Sequence, residues 1–247
     1  MLLTPWGESL DRAHPLPEYP RPQMVRDSYL NLNGAWEYAI TADDRLPAQW
    51  DGTILVPFSP EAELSGVKRT LHAGETLWYR RVFRLPEGFN KGRVLLHFGA
   101  VDQEAQVTVN GREAACHHGG YTAFTVDITE DLAEENTLVV RVHDDTDASE
   151  HSRGKQSSKP GGIWYTAQSG IWQTVWLESV PLVYVRELLI RPLTARDEVA
   201  LTVLCDEPVR CTAELDGQTV AFHANEECLV NLDKPHLWSP DEQYIYH

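Results

Sequence analysis

The sequence predicts an all-β protein, and three observations support that prediction. Apolar and polar residues alternate with a period of two in several segments, as in Ala105–Val109 and Leu138–Val142; this pattern is typical of strands with one buried face. Asn110-Gly111 and Asp216-Gly217 each lie between two such segments and suit tight hairpin turns. No long segment shows the 3.6-residue period of an amphipathic helix, so we expect at most a helical turn near residues 130–134.

Length and composition indicate a globular protein and exclude several classes of partner. The 247 residues, 42% of them hydrophobic and 23% charged, suffice for one large or two ordinary domains. The formal charge of −16 argues against a nucleic-acid partner, because binding to phosphates requires clustered Lys and Arg. No apolar run approaches the length of a membrane span, and the first residues do not resemble a signal peptide. We therefore expect a cytoplasmic protein without a membrane partner.

Four cysteines are spread over the chain, and their spacing favours free thiols over a metal site. They are Cys116, Cys205, Cys211 and Cys228. None forms a Cys-x-x-Cys pair, and three occupy inward-looking positions of predicted strands, which favours buried thiols in a reducing compartment. His117 and His118 are adjacent, so on a strand they point to opposite faces and make poor joint ligands. We expect neither a metal nor another cofactor.

Three regions follow one another along the chain. Residues 1–30 include four prolines between Pro15 and Pro22 and are expected to form an extended arm, because proline removes a backbone donor. A disordered tail is the alternative. Residues 31–181 contain the strands and hairpins of a first β-sandwich. Residues 182–247 contain a shorter second group of strands.

The second group of strands is too short for a standard sandwich domain. Strands are expected at 185–191, 198–204, 209–215, 218–222 and 227–232, with a last one from Tyr244. An immunoglobulin-like sandwich needs about seven strands and ~100 residues. We therefore expect residues 182–247 to form an incomplete immunoglobulin-like domain.

Six short motifs occur in a characteristic order. They are Tyr19–Gln23, Leu32–Trp36, Leu77–Phe83, Phe98–Asp102 with Val109-Asn110-Gly111, Gly119-Gly120-Tyr121 with Ser169-Gly170-Ile171, and Leu237–Pro240. In order and spacing the chain resembles the N-terminal part of glycoside hydrolase family 2, the β-galactosidase and β-glucuronidase family. The resemblance implies a jelly-roll β-sandwich, galactose-binding-domain-like, followed by a partial immunoglobulin-like β-sandwich. It also implies a bacterial retaining β-glycosidase whose partner is a carbohydrate substrate.

Catalysis is not expected from this chain alone. Retaining glycosidases use two carboxylates about 5 Å apart, and the family places both on a TIM barrel of about 250 residues. No segment here shows the alternating strands and helices of such a barrel. Asn225-Glu226 copies the dipeptide that contains the family's acid/base, but 37 acidic residues make such a dipeptide expected by chance. We predict no catalytic residue within the chain.

The segment Ser152–Tyr165 is the best candidate for a binding element, because it is long, polar and rich in glycine. The resemblance implies that it reaches toward the mouth of the barrel. Its candidate substrate-contacting residues are Arg153, Lys155, Gln156, Trp164 and Tyr165. The first three can hydrogen-bond to sugar hydroxyls or a carboxylate, and the two aromatic rings can stack on a sugar. Alternatively, the aromatic residues only anchor the loop to its own sandwich or to the barrel.

One departure from the family leaves the identity of the sugar open. Several members carry Asp five residues before the Ser/Ala-Gly-Ile motif, where this chain has Trp164. Two other functions also remain open at this point. A free-standing carbohydrate-binding module would show an exposed aromatic platform. A structural piece would use the sandwich as a subunit contact in a homo-oligomer.

Overall fold

The computed structural model describes residues 3–247, and the chain divides into two compact units. The first unit ends at Val180 and the second comprises Pro181–His247. The sequence-based boundary, after residue 181, lies one position further along. None of the helices in the described part of the chain is long and apolar enough to cross a membrane.

The first unit is built almost entirely from strands. These are β1 (Tyr29–Asn31), β2 (Gly34–Thr41), β3 (Gly52–Val56), β4 (Thr76–Phe83), β5 (Arg93–Phe98), β6 (Val101–Asp102), β7 (Glu104–Val109), β8 (Arg112–His118), β9 (Phe124–Asp127), β10 (Asn136–His143), β11 (Gln156–Ser157), β12 (Tyr165–Thr166), β13 (Gly170–Ile171) and β14 (Val175–Val180). Its helical segments are α1 (Pro5–Glu8) and three 3-10 turns, at Pro22–Met24, Glu63–Ser65 and Thr129–Asp131. The last of these turns overlaps the predicted turn at 130–134.

Two large sheets share one hydrophobic core. A four-stranded sheet has the order β1-β14-β5-β9, and a six-stranded sheet has the order β3-β2-β4-β10-β7-β8. The core combines Leu96 and Leu177 of the first sheet with Leu77 and Val140 of the second, all nearly inaccessible to solvent. Side chains along β10 alternate strictly between buried and half-buried positions, as the period of two predicts. The predicted all-β class and the β-sandwich are confirmed.

Both predicted hairpins are present. Asn110 and Gly111 connect β7 to β8 with φ values of 51° and 82°. Asp216 and Gly217 connect two strands of the second unit with φ values of 49° and 80°. Two successive residues in the left-handed region match the right-handed twist of a two-residue hairpin, which explains the Asn-Gly and Asp-Gly pairs.

The expectation of an extended arm over residues 1–30 is only partly met, because the described part of this arm contains two short helical turns. Thr4 caps α1 by accepting from the Gly7 amide at 3.1 Å, and Pro5 suits the first helical position. Proline likewise begins the 3-10 turn at Pro22–Met24. The prolines therefore initiate short helical turns as well as preventing strand pairing. Residues 1 and 2 lie outside the described part of the chain.

A fully buried carboxylate, Glu178 on β14, fastens this arm to the sandwich. Its oxygens accept hydrogen bonds from Arg21 at 2.7 and 2.8 Å, from Arg26 at 2.5 Å and from Tyr19 at 3.0 Å. His97 contributes a further bond at 3.1 Å. Burial by itself would raise the pKa of Glu178, but the bonds from His97 and the two arginines lower it to about 2.

The second unit contains five strands. They are β15 (Glu187–Leu193), β16 (Glu198–Leu204), β17 (Arg210–Leu215), β18 (Gln218–His223) and β19 (Glu227–Asn231), with a 3-10 turn at Thr194–Arg196. β15, β16 and β19 form one sheet, and β17 and β18 form a hairpin. All five overlap the predicted strands. The immunoglobulin-like assignment of this unit stays a prediction.

Two expectations for the second unit were wrong. The segment from Tyr244 does not form a strand; the Tyr244 ring instead stacks on His236 at 4.7 Å, and the Tyr246 hydroxyl accepts from the His236 amide at 2.7 Å. Three buried cysteines were expected, but only Cys205 is buried: Cys116 is exposed, and Cys211 on β17 and Cys228 on β19 are half-buried, because the inward positions of these two strands stay partly accessible. All four cysteines are free thiols.

Candidate functional site

The glycine-rich loop after β10, residues 152–165, has a defined structure held by its own backbone hydrogen bonds. β11 and β12 pair in parallel within it, with Gln156 opposite Tyr165. Beyond them a tight turn is closed by mutual backbone bonds between Gly161 and Trp164, of 3.0 and 3.1 Å. Gly162 takes φ +60° in this turn, where a side chain would be strained. The loop therefore presents its side chains from defined positions.

The loop closes over a pocket of about 430 Å³ in the first unit. Four predicted contact residues line it, namely Arg153, Lys155, Gln156 and Tyr165. Trp164 does not line it; its ring is 44% exposed on the neighbouring turn. The structure thus brings four of the five predicted residues together, and the sugar-contact role of all five stays a prediction.

Aromatic rings form the mouth of this pocket. Tyr121 is 49% exposed and Tyr165 is 65% exposed, so both present open ring faces. Trp172 lies beneath, where its indole Nε1 donates to the Gly120 carbonyl at 2.7 Å and its ring meets Tyr121 edge to face at 6.2 Å. An apolar surface with fixed orientation results, which suits the apolar face of a ring-shaped ligand.

A buried acid, Asp102, lies at the base of the pocket. It is 3% exposed, and its Oδ2 accepts from Gln156 Nε2 at 2.8 Å. The same Nε2 donates to the Tyr121 hydroxyl at 3.1 Å, and Gln156 Oε1 accepts from the Gln168 amide at 2.6 Å. A Cβ at position 120 would overlap Asp102 Oδ1, so only glycine fits there. Burial raises the pKa of Asp102 to about 6, although the bond from Gln156 opposes the rise.

Two further carboxylates, the buried Asp144 and the half-buried Glu61, hold the residues that follow the loop. Asp144 accepts from the Ser169 hydroxyl at 2.8 Å, and Glu61 accepts from the Ser169 amide at 3.0 Å. Glu61 also accepts from the Leu71 amide at 3.0 Å. Burial raises the pKa of both acids, and their charges add to the rise at Asp102. All three carboxylates therefore hold groups of the fold itself.

The other candidate acid, Glu226, belongs to a turn of the second unit. Asn225 takes φ +67° there, and its Oδ1 accepts from the Cys205 amide at 3.1 Å. The dipeptide Asn225-Glu226 thus closes the connection between β18 and β19, and its rejection as an acid/base stays a prediction. Within residues 3–247 there is no group of three or more His, Cys, Asp or Glu side chains that could hold a metal.

Sequence reasoning did not select Asp102, Tyr121 or Trp172 as site residues. Tyr121 follows two glycines, and Asp102 is a single acid after the apolar run that ends at Val101. Both features are visible in the sequence. The proximity of these residues to the loop is not, because it depends on pairing between segments far apart in the chain.

The family model described as glycosyl hydrolase 2 galactose-binding domain-like matches residues 52–203. A β-galactosidase of Thermoanaerobacter pseudethanolicus is 28% identical over 69% of this chain and 25% of its own length. A putative β-glucuronidase of Formosa agariphila is 27% identical over 90% of this chain and 27% of its own length.

Solved structures show the same fold. A Lactobacillus rhamnosus β-glucuronidase superimposes with a TM-score of 0.71 at 23% identity, over 92% of this chain and 42% of that one. A β-glucuronidase from Ruminococcus gnavus, in complex with uronic deoxynojirimycin, gives a TM-score of 0.69 at 21% identity. The chain spans about a quarter of the length of the two relatives compared by sequence.

Proposed function

Because the chain belongs to the glycosyl hydrolase 2 family through its galactose-binding domain-like region, we propose that it is the non-catalytic N-terminal portion of a retaining β-glycosidase. The whole protein would hydrolyse a terminal β-linked sugar, as the names of the β-galactosidase and β-glucuronidase relatives suggest. In this proposal the loop 152–165 helps to bind the sugar.

The pocket beneath the loop is the observation that supports this role. It places the open faces of Tyr121 and Tyr165 beside the hydrogen-bonding groups of Arg153, Lys155 and Gln156. A sugar offers both an apolar ring face and several hydroxyl groups, so this combination fits its chemistry. The Gln156 side chain makes three hydrogen bonds, which fix its position in the pocket lining.

The proposal that this chain alone is inactive also has a physical basis. Retaining hydrolysis needs two carboxylates about 5 Å apart that can meet the substrate. The acids nearest the pocket, buried Asp102 and Asp144 and half-buried Glu61, instead accept hydrogen bonds from other groups of the chain. Their roles are structural, so no acid at this pocket serves as nucleophile.

Sugar binding by the purified chain tests the proposal. We expect methyl β-glycosides to perturb the NMR signals of the Trp172 indole, and Tyr165→Ala to weaken binding about fivefold by removing a stacking surface. Trp6→Ala removes another exposed ring, on α1, and is the control. Chromogenic β-galactosides and β-glucuronides should release no product. Absence of binding by any glycoside would refute the sugar-contact role.

Several properties of the whole protein belong to the same proposal. The four free thiols suit a cytoplasmic location, since reducing conditions keep cysteines unpaired. A bacterial source, an immunoglobulin-like second unit and a homo-oligomer are proposed with it. The free-standing binding module remains the alternative favoured by the exposed rings of Tyr121 and Tyr165.

A further inference from the structure

The strand β15 exposes apolar side chains at the edge of a sheet. It pairs with β16 in the order β15-β16-β19, and no other strand of the described chain pairs with its outer side. Leu188, Leu189 and Ile190 follow one another on it and are 36%, 44% and 57% exposed. Both faces of the strand are therefore apolar at its centre, because successive side chains point to opposite faces. An edge of this kind can pair with a further strand.

The two edges of the six-stranded sheet in the first unit lack this combination. Ile54 and Leu55 on β3 are nearly inaccessible to solvent. On β8, at the other edge, the polar residues Arg112, Glu113 and His118 are exposed. Burial and charge are common ways to prevent association through an edge strand. The apolar centre of β15 has neither protection.

Glu187 and Arg191 flank this apolar centre symmetrically. Each lies two positions from Leu189, so the three side chains point to the same face. Arg191 donates to Glu227 on β19 at 2.6 Å, and this bond holds the guanidinium on that face. The segment Glu187–Arg191 therefore has a negative end, an apolar centre and a positive end. Such a segment is complementary to its own reverse.

We propose that β15 is a dimer interface, where it pairs antiparallel with β15 of a second copy about a two-fold axis at Leu189. In this register Leu189 lies opposite Leu189 of the partner subunit, and Leu188 lies opposite Ile190 of the partner subunit. Glu187 lies opposite Arg191 of the partner subunit, and the symmetry repeats each pair. Apolar and opposite-charge pairs across strands stabilise a sheet. A guanidinium has five donors, so Arg191 can bond to a second carboxylate beside Glu227.

The two copies form one six-stranded sheet with the β15 strands at its centre. Pro192 ends the paired segment, because proline has no amide hydrogen to donate. The assembly closes at two copies, since the two-fold operation uses the β15 edge of each. This inference gives a surface to the homo-oligomer named with the proposed function. It does not depend on sugar binding, because the pocket residues Tyr121 and Tyr165 belong to the first unit.

Sedimentation of the 247-residue chain tests the proposal over about 1 to 300 µM protein, a range in which weak association is measurable. We expect the mass to rise with concentration from 27.9 kDa to twice that value. Leu189→Lys places two ammonium groups opposite each other at the two-fold axis and should weaken the dimer about tenfold or more. Leu182→Lys is the control, because Leu182 is exposed in the same unit but lies outside β15. It should leave dimerisation unchanged.

Charge reversal tests the register itself. Glu187→Arg places cations opposite each other at both ends of the segment, and Arg191→Glu places anions there, so each should weaken the dimer about fivefold. Mixed in equal amounts, the two variants restore opposite charges at both ends. The mixture should therefore associate more tightly than either variant alone. Glu187→Arg keeps the bond between Arg191 and Glu227, so it tests the charge pair even if Arg191→Glu disturbs the sheet.

Three outcomes would overturn the proposal. A chain that stays monomeric over the whole range has another occupant, or none, at this edge; sugar binding by that monomer would still support the proposed function. A dimer unaffected by both Leu189→Lys and Glu187→Arg uses a different contact. Two folded charge variants that gain nothing on mixing exclude the register. In the supported case, hydrogen exchange shows protection of the amides of residues 187–191 that rises with protein concentration.

Discussion

Asp102→Asn should change how the stability of the first unit depends on pH. The carboxyl group is 3% exposed, and burial raises its pKa from the ordinary 3.8 to about 6. The folded protein therefore binds this proton more tightly than the unfolded chain. The resulting stability is fully present below about pH 3.8 and is lost as the pH rises through about 6. Between about pH 4.5 and 7.5 the loss amounts to about 2 kcal/mol.

The variant removes this loss, because asparagine keeps the shape and the acceptor for Gln156 but has no proton to release. Relative to wild type, its free energy of unfolding should therefore improve by about 2 kcal/mol between about pH 4.5 and 7.5. Urea titrations followed by tryptophan fluorescence measure this free energy. The signal reports mainly on the first unit, because Trp238 is the one tryptophan of the second unit.

A matched variant of the same region should behave in the opposite way. Hydrogen bonds from Ser158 and Ser157 lower the pKa of the exposed Asp147 carboxyl, so its contribution is lost as the pH falls. Asp147→Asn should therefore be less stable than wild type near neutral pH, and this difference in the free energy of unfolding should shrink as the pH falls. If Asp102→Asn and wild type differ by the same amount at both pH values, the Asp102 carboxyl is not destabilised by burial and the reasoning is wrong.

Two other substitutions in the first unit, each with a control variant, test its packing by urea unfolding. Glu178→Gln should cost about 3–5 kcal/mol, because it removes the buried negative charge with which Arg21 and Arg26 pair. Glu37→Gln, at the half-exposed pair with Arg80, should cost about 1 kcal/mol or less. Equal costs would contradict the buried anchor. Gly170→Ala should cost about 2–5 kcal/mol, because residue 170 has φ +73° and a Cβ there would overlap the buried Tyr79 hydroxyl. Gly217→Ala meets nothing within 4 Å at φ +80° and should cost only about 1–2 kcal/mol; a similar loss in both would show that the overlap has no effect.

Local patterns predicted the strands and hairpins well for a physical reason. Alternation along β10 and the Asn110-Gly111 turn depend on neighbouring residues, so the sequence contains the whole signal. The loop 152–165 was recognisable in the same way, from its length and glycine content.

Long-range contacts explain what the sequence could not predict. Asp102 and Gln156 form a hydrogen bond although 54 positions separate them, so the sequence around either residue does not predict the contact. The same applies to the segment from Tyr244: its aromatic residues suit a strand, but contacts with His236 fix them differently. Tertiary contacts of this kind override local preference.

The anchor at Glu178 has a consequence for synthesis on the ribosome. Arg21 and Glu178 are separated by 157 positions, and β1 is an edge strand whose neighbour in the sheet is β14. At about 5–20 residues per second, the arm leaves the ribosome about 8–30 s before its docking site has been made. During this interval the arm has no native partner at Glu178, so a chaperone or a protease can reach it. Translation speed through residues 21–178 therefore sets how long the nascent chain is exposed there.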